Sequence, residues 1–139
     1  MLMLGQAREC VERGLRKANE LGFKVAVAVV DDAGHLVACD RMDGALWVTP
    51  EIARAKANAA AAFQATTLDL EDRFTKRALF AGGVTNLGDY QFVFGKGAVP
   101  IVENGAVVGA VGVSGAVPAD NDHAIADAAA GHPTVPKSH

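Results

Sequence analysis

A lysine lies on the apolar side of a predicted helix. The stretch TPEIARAKANAAAAF, residues 49–63, starts with a Thr-Pro pair typical of a helix N-terminus. At about 100° per residue, Lys56 falls among apolar side chains, whereas Glu51 and Arg54 fall on the other side. Because a buried, unpaired ammonium is costly, Lys56 must reach solvent, pair with an acid or line a cleft. In a cleft it would bind a carboxylate or act as a general base.

An arginine stands where a predicted strand opens onto a loop. In the stretch DRMDGA, residues 40–45, three charged side chains follow one another closely. Arg41 could bind a ligand carboxylate through its two parallel N–H groups. It could equally form a local ion pair with Asp43 or Asp31.

A glycine-rich stretch leads into the last predicted helix. In GAVGVSGAVPADNDH, residues 109–123, Gly112 lies inside a strand, which indicates close approach of a helix or a ligand. Gly112 and Ser114 precede a helix N-terminus, whose free backbone N–H groups could hold an anion. His123 lies in the first turn of that helix and, like His35, is a candidate proton carrier.

The composition indicates one folded domain. The 139 residues are 50% hydrophobic and 21% charged, so the chain can bury a core. The net charge of −3 offers no basic surface to nucleic acid or anionic membranes, so we expect neither as a partner. The four histidines and two cysteines match no zinc pattern, and we expect no metal site. Without a signal peptide or a membrane-length apolar run, a cytoplasmic location is expected.

Periodicity and turn residues predict an α+β arrangement. The predicted helices are 5–21, 49–66, 68–80 and 120–131, and the predicted strands are 23–31, 35–42, 91–94, 98–102 and 106–115. Strands joined by hairpins favour an antiparallel sheet, and the helices between and around them favour a sandwich. We expect a single domain over residues 1–131 and a mobile, proline-broken tail over 132–139.

Three stretches together resemble the GlcG/HbpS-like family, also described as heme-degrading or PduO C-terminal-like domains. They are VVDDAGHLVACDRMDGA (29–45), ARAKANAAAAFQATT (53–67), and GAVVGAVGVSG (105–115) followed by DNDHAIADAA (120–129). The resemblance covers residues 5–130, but residues 82–90 match no part of the family pattern. It implies a profilin-like sandwich with a five-stranded antiparallel sheet and helices on both faces. It also implies homo-oligomers with a ligand pocket near a subunit interface.

The resemblance further implies a ligand and residues that bind it. Some members of the family bind heme, and some are reported to degrade it. The lysine of the family's pocket helix aligns with Lys56, and a threonine that contacts heme iron in one member aligns with Thr66 or Thr67. If the three clusters above line one cavity, the residues expected to bind the cofactor are Lys56, Thr66, Thr67, Arg41, Gly112 and Ser114.

Two functions of different classes follow. The first is binding of heme or a related tetrapyrrole, with heme degradation as the associated activity. The second is a cofactor-independent isomerase, lyase or hydrolase that acts on a small carboxylated metabolite. In that enzyme Lys56 is the base or electrostatic clamp, Arg41 binds the carboxylate, and His123 or His35 carries the proton. A third reading, an accessory subunit without catalysis, stays open.

Overall fold

The computed structural model describes residues 1–131, and the predicted tail over 132–139 lies outside them. The described residues form five helices and four strands. The helices are α1 (Leu4–Leu21), α2 (Thr49–Phe63), α3 (Thr67–Thr75), α4 (Ala78–Val84) and α5 (Asp120–Ala129). The strands are β1 (Ala26–Asp31), β2 (Leu36–Arg41), β3 (Ala98–Glu103) and β4 (Ala106–Ser114). None of these helices is both long and apolar enough to cross a membrane.

The strands form one antiparallel sheet in the order β2-β1-β4-β3. The prediction of an antiparallel α+β sheet is confirmed, but the prediction of five strands is wrong for the described residues. The expected strand at 91–94 pairs with no other strand. Its Phe92 and Phe94 rings pack against Phe63 instead, so both rings are half-buried in an aromatic cluster and not in a sheet.

The predicted helix over 68–80 is two helices in the structure. Helix α3 ends at Thr75, and α4 begins at Ala78. The backbone N–H of Arg77 donates to the carbonyl of Phe74 at the break. The turn brings the ring of Phe80 against the ring of Phe74, with 5.5 Å between their centroids. Aromatic packing therefore stabilises the bend.

Helices cover both faces of the sheet, because β1 is apolar at every position except its last. Val27 and Val29 face the main core, which α1 and α5 close. Ala26 and Ala28 face the opposite side, where they meet Ala53 of α2. The small side chains on this second face let α2 lie close to the sheet.

Gly112 permits the closest approach of α2 to the sheet. A Cβ at this position would lie 2.0 Å from the carbonyl oxygen of Ala53 and 2.9 Å from the amide nitrogen of Ala57. No side chain fits in that space. The predicted close approach at Gly112 is therefore present, and the approaching group is a helix.

Candidate functional site

An open groove runs along the side of α2 that faces away from the sheet. Its volume is about 1290 Å³. One wall is α2 itself, and a second is the turn at residues 32–35 between β1 and β2. Residues 80–92, which begin in α4, supply the third wall. The groove includes most of the segment that matched no part of the family pattern.

Aromatic rings dominate one end of the groove. Phe63, Phe80, Tyr90 and Phe92 all line it. The rings of Tyr90 and Phe92 stack with centroids 6.0 Å apart, and Phe63 meets Phe92 edge-on at the same distance. Phe74 supports this wall from below by contacting Phe63 at 5.3 Å. The rings thus form a firm apolar wall that a flat, apolar ligand can cover.

Polar groups of α2 lie beside the aromatic wall. Arg54 and Glu51 are exposed along the groove. Asn58 ties the wall to the helix, because its Nδ2 donates to the carbonyl of Gln91 at 3.3 Å. The Oδ1 atom of Asn58 is buried and accepts no hydrogen bond within the described residues. A groove ligand with a donor group could satisfy this oxygen.

The turn between β1 and β2 fixes His35 at the groove. Asp31 Oδ1 accepts hydrogen bonds from the backbone N–H groups of Ala33, at 3.0 Å, and His35, at 2.9 Å. Asp31 Oδ2 lies 3.4 Å from His35 Nδ1. Burial acts to raise the pKa of Asp31, but these backbone hydrogen bonds and His35 bring it below its ordinary value. Asp31 is therefore a carboxylate at neutral pH, and it holds both the backbone and the ring of His35.

Lys56 is buried on the sheet side of α2, away from the groove. Its Nζ donates to the carbonyl of Val113 at 3.0 Å and to Asp122 Oδ2 at 3.3 Å. The lysine and aspartate side chains are only 7% and 6% exposed. The other oxygen of Asp122 accepts from the backbone N–H of Ala116 at 2.8 Å. Of the three outcomes open to this lysine, the structure shows pairing with an acid.

The ion pair connects elements on the two faces of the sheet. Lys56 belongs to α2 and Asp122 to α5, and they meet beside Gly97, just before β3. A Cβ at Gly97 would lie 2.9 Å from Lys56 Nζ and 2.7 Å from the Val113 oxygen. Burial raises the pKa of Asp122, and the neighbouring ammonium opposes that rise. Lys56 therefore has a structural role that explains its position without a ligand.

Both predicted threonines make hydrogen bonds at the start of α3. Thr66 caps the helix, since its Oγ1 accepts from the backbone N–H of Asp69 at 3.1 Å. Thr67 is fully buried, and its Oγ1 accepts from the backbone N–H of Ala98 at 2.8 Å. The Thr67 bond joins α3 to β3, whereas the Thr66 bond closes the N-terminus of α3 itself. A role for either threonine in ligand binding stays a prediction.

The remaining predicted residues lie apart from the groove. Arg41 is exposed at the end of β2, Ser114 is buried at the end of β4, and His123 is half-buried in the first turn of α5. Among the predicted residues, His35, the alternative proton carrier, lines the groove, whereas the others do not: Lys56, Arg41, Thr66, Thr67, Gly112, Ser114 and His123. Their proposed roles stay predictions, and the structure does not gather them around the groove. Sequence reasoning does not predict the groove as a whole. Two features of the sequence point to it: His35, and the segment at 82–90 that departs from the family pattern.

Comparison with known proteins agrees with the fold and the resemblance. Residues 2–131 match the family model described as "Haem degrading protein HbpS-like". Protein GlcG of Escherichia coli K12 is 34% identical over 111 residues, which cover 78% of this chain and 77% of GlcG.

Two solved structures superpose closely on this chain. A double mutant of Streptomyces reticuli HbpS gives a TM-score of 0.84 at 31% identity, covering 94% of this chain and 85% of that one. The PduOC:heme complex gives a TM-score of 0.82 at 27% identity, covering 96% and 95% of the two chains. The similarity therefore extends over nearly the whole of each protein.

Proposed function

Because the chain belongs to the HbpS-like family, we propose that it binds heme or a related tetrapyrrole in the groove beside α2. The aromatic wall of the groove carries this proposal. A tetrapyrrole is a broad, flat, apolar ring system with carboxylate side chains, and aromatic rings favour contact with such a surface. The groove volume of about 1290 Å³ is ample for a ligand of that size.

The charged side chains around the groove restrict how a tetrapyrrole dianion can bind. Among the described residues that line the groove, Arg54 is the one Lys or Arg side chain, and it can pair with a carboxylate. Asp32, Glu51 and Asp89 also lie on the lining and repel carboxylates from their own positions. The charges therefore favour an orientation with a ligand carboxylate near Arg54. His35 also lines the groove, and its imidazole nitrogen is a type of ligand that binds heme iron. Heme, when bound, would supply redox chemistry at that iron.

Hemin titration tests the proposal. The purified chain should give a saturable, shifted Soret band at a fixed ratio of hemin to protein. Tyr90→Ala and Arg54→Gln should each weaken the affinity by about 3- to 10-fold, through lost ring contact and lost charge pairing. Arg73→Gln is the matched control, because Arg73 is an exposed arginine on α3 that pairs with Asp69. Unsaturable uptake that no variant changes would refute binding at the groove.

The cluster predicted from the sequence is the competing location. Thr66→Ala and Arg41→Gln should leave hemin affinity unchanged if the ligand occupies the groove. If these two variants weaken binding and Tyr90→Ala does not, the ligand lies at the predicted cluster instead. Heme degradation is the finer proposal, tested by whether the bound Soret band decays with release of a bile pigment when a reductant and oxygen are supplied.

The cofactor-independent enzyme has less support. Its proposed base, Lys56, has its ammonium engaged by Val113 and Asp122. Its proposed carboxylate binder, Arg41, is exposed at the end of β2. A thermal-shift screen of small carboxylates tests this alternative, and stabilisation that Lys56→Met and Arg41→Gln both abolish would favour it.

A homo-oligomer is also part of the proposal. Leu46 and Trp47 are 70% and 76% exposed, which is unusual for large apolar side chains in a monomer. Burial of this pair by a second copy would remove the exposed apolar surface. Light scattering coupled to size exclusion should therefore give a mass above the 14.3 kDa of one chain. Trp47→Ser should lower that mass.

A further inference from the structure

We infer that His35, through its Nε2 atom, would coordinate the iron of a heme bound in the groove, and that Asp31 positions it. The inference rests on the proposed function. It assigns a metal-ligating residue that the predicted cluster did not include. The geometry of the β1–β2 turn and the composition of the groove lining support it.

The turn holds the backbone of His35 in place. The backbone N–H of Asp31 donates to the carbonyl of His35 at 2.9 Å, and the N–H of Gly34 donates to the carbonyl of Asp31 at 3.1 Å. Gly34 has φ +85°, which a glycine adopts without strain. Asp31 Oδ1 accepts two further backbone hydrogen bonds within the same turn. The ligand-bearing residue thus stands on a backbone held by four hydrogen bonds.

Asp31 also determines which ring nitrogen of His35 is available. Its Oδ2 lies 3.4 Å from Nδ1, which favours the neutral tautomer of His35 with the proton on Nδ1. The lone pair is then on Nε2. A carboxylate that accepts from one ring nitrogen while the other binds a metal is a common arrangement, and it both orients the ring and makes the ligand more basic.

The position of His35 is suitable for a ligand that enters from solvent. Its side chain is 79% exposed, and it lines the same groove as the aromatic wall. A porphyrin that covers the rings of Phe63 and Tyr90 would occupy the groove that His35 borders. Tyr90 also lines the groove, and its phenol oxygen is a competing candidate for coordination of the iron.

Resonance Raman spectroscopy of the ferrous heme complex tests the assignment. Wild type should show an iron–histidine stretching band, and His35→Ala should lose it. Added imidazole should restore a nitrogen-ligated spectrum to that variant. Asp31→Asn keeps an acceptor oxygen for the turn but loses the charge beside Nδ1. It should shift the band and weaken hemin affinity by about 10-fold or more.

Metal-free protoporphyrin IX is the matched ligand control. It has no iron, so its affinity should be the same for wild type and His35→Ala. Equal weakening of hemin and of the metal-free porphyrin would show that His35 is a packing contact and would overturn the assignment. A double variant, His132→Ala with His139→Ala, should retain the iron–histidine band.

Failure of this assignment can be distinguished from failure of the proposed function. If hemin binds the groove saturably but the band survives His35→Ala, another residue is the ligand and the assignment is wrong. Loss of the band in Tyr90→Ala alone, in His123→Ala, or in the double tail variant would also overturn it. If wild type gives no saturable Soret shift, the proposed function and this assignment fail together.

Discussion

Replacing Lys56 by methionine should lower the free energy of unfolding by about 3–5 kcal/mol, the cost typical of removing one partner of a buried ion pair. The magnitude follows from burial, because the two side chains are 7% and 6% exposed. Methionine keeps most of the length and volume of lysine, so the loss would come from charge and not from a cavity. The Asp122 carboxylate would keep only the backbone N–H of Ala116 as a donor.

A double-mutant cycle separates the pair from its surroundings. Asp122→Asn retains an oxygen that can accept from Ala116, but it leaves the ammonium of Lys56 with the Val113 carbonyl alone. That variant should lose a similar amount of stability. The double variant has no unpaired charge, so its loss should be smaller than the sum of the single losses by about 2 kcal/mol or more.

Urea denaturation followed by circular dichroism measures each loss. The control is Arg73→Met, which breaks an exposed ion pair whose members are 47% and 55% exposed. Exposed pairs contribute up to about 1 kcal/mol, so this variant should lose no more than that. If Lys56→Met costs as little as Arg73→Met, the ammonium is not buried in the folded protein and the reasoning fails.

Three further predictions concern the packing around the site. The free energy of unfolding that Lys56→Met loses should become smaller as pH falls. Burial raises the pKa of Asp122 above 3.8, and loss of the Lys56 ammonium raises it further. A carboxyl group whose pKa is raised in the folded state adds stability at low pH, and this stability is lost as pH rises through that pKa. Urea titrations from about pH 4 to pH 7 should show this slope, and a pH-independent deficit would contradict it. Gly112→Ala should lower the melting temperature severely or prevent folding, because the added Cβ would lie 2.0 Å from the Ala53 oxygen; an unchanged melting curve would refute the close approach. Thr67→Val should cost about 1–3 kcal/mol in urea, since the buried N–H that donates to its hydroxyl would lose its acceptor; a loss within error would show that water replaces the hydroxyl.

The end of helix α1 and the β3–β4 hairpin were predictable because their signals are local. Helix α1 ends at Leu21 and Gly22 follows with φ +85°, the terminating role expected of a glycine. The turn after β3 contains the Asn104-Gly105 pair that predicts a hairpin. Each signal depends on residues that are neighbours in the chain. Local pattern therefore predicts these elements without knowledge of the tertiary structure.

Two features that sequence reasoning did not identify depend on long-range packing. The stretch at 91–94 has the apolar side chains of a strand, but its rings meet Phe63 and Phe74 instead of a neighbouring strand. The partner of Lys56 is 66 residues away in the chain. In both cases the residue type requires burial or pairing, while the tertiary structure decides which group provides it. For Lys56, sequence reasoning states pairing with an acid as one of three alternatives, whereas for 91–94 it predicts a strand.

The two faces of α2 carry cations with different roles: a buried lysine on the sheet side and an exposed arginine on the groove side. Lys56 is a charged residue on the apolar face of α2, and it is accommodated there by the ion pair with Asp122 on the sheet side of the helix. Arg54, two residues earlier, is an ordinary charge on an exposed face, and that face lines the groove. Substitution of the two cations should therefore have opposite effects on stability and on hemin affinity. Lys56→Met should reduce stability and leave the hemin affinity of the folded protein unchanged, whereas Arg54→Gln should reduce affinity and leave stability unchanged.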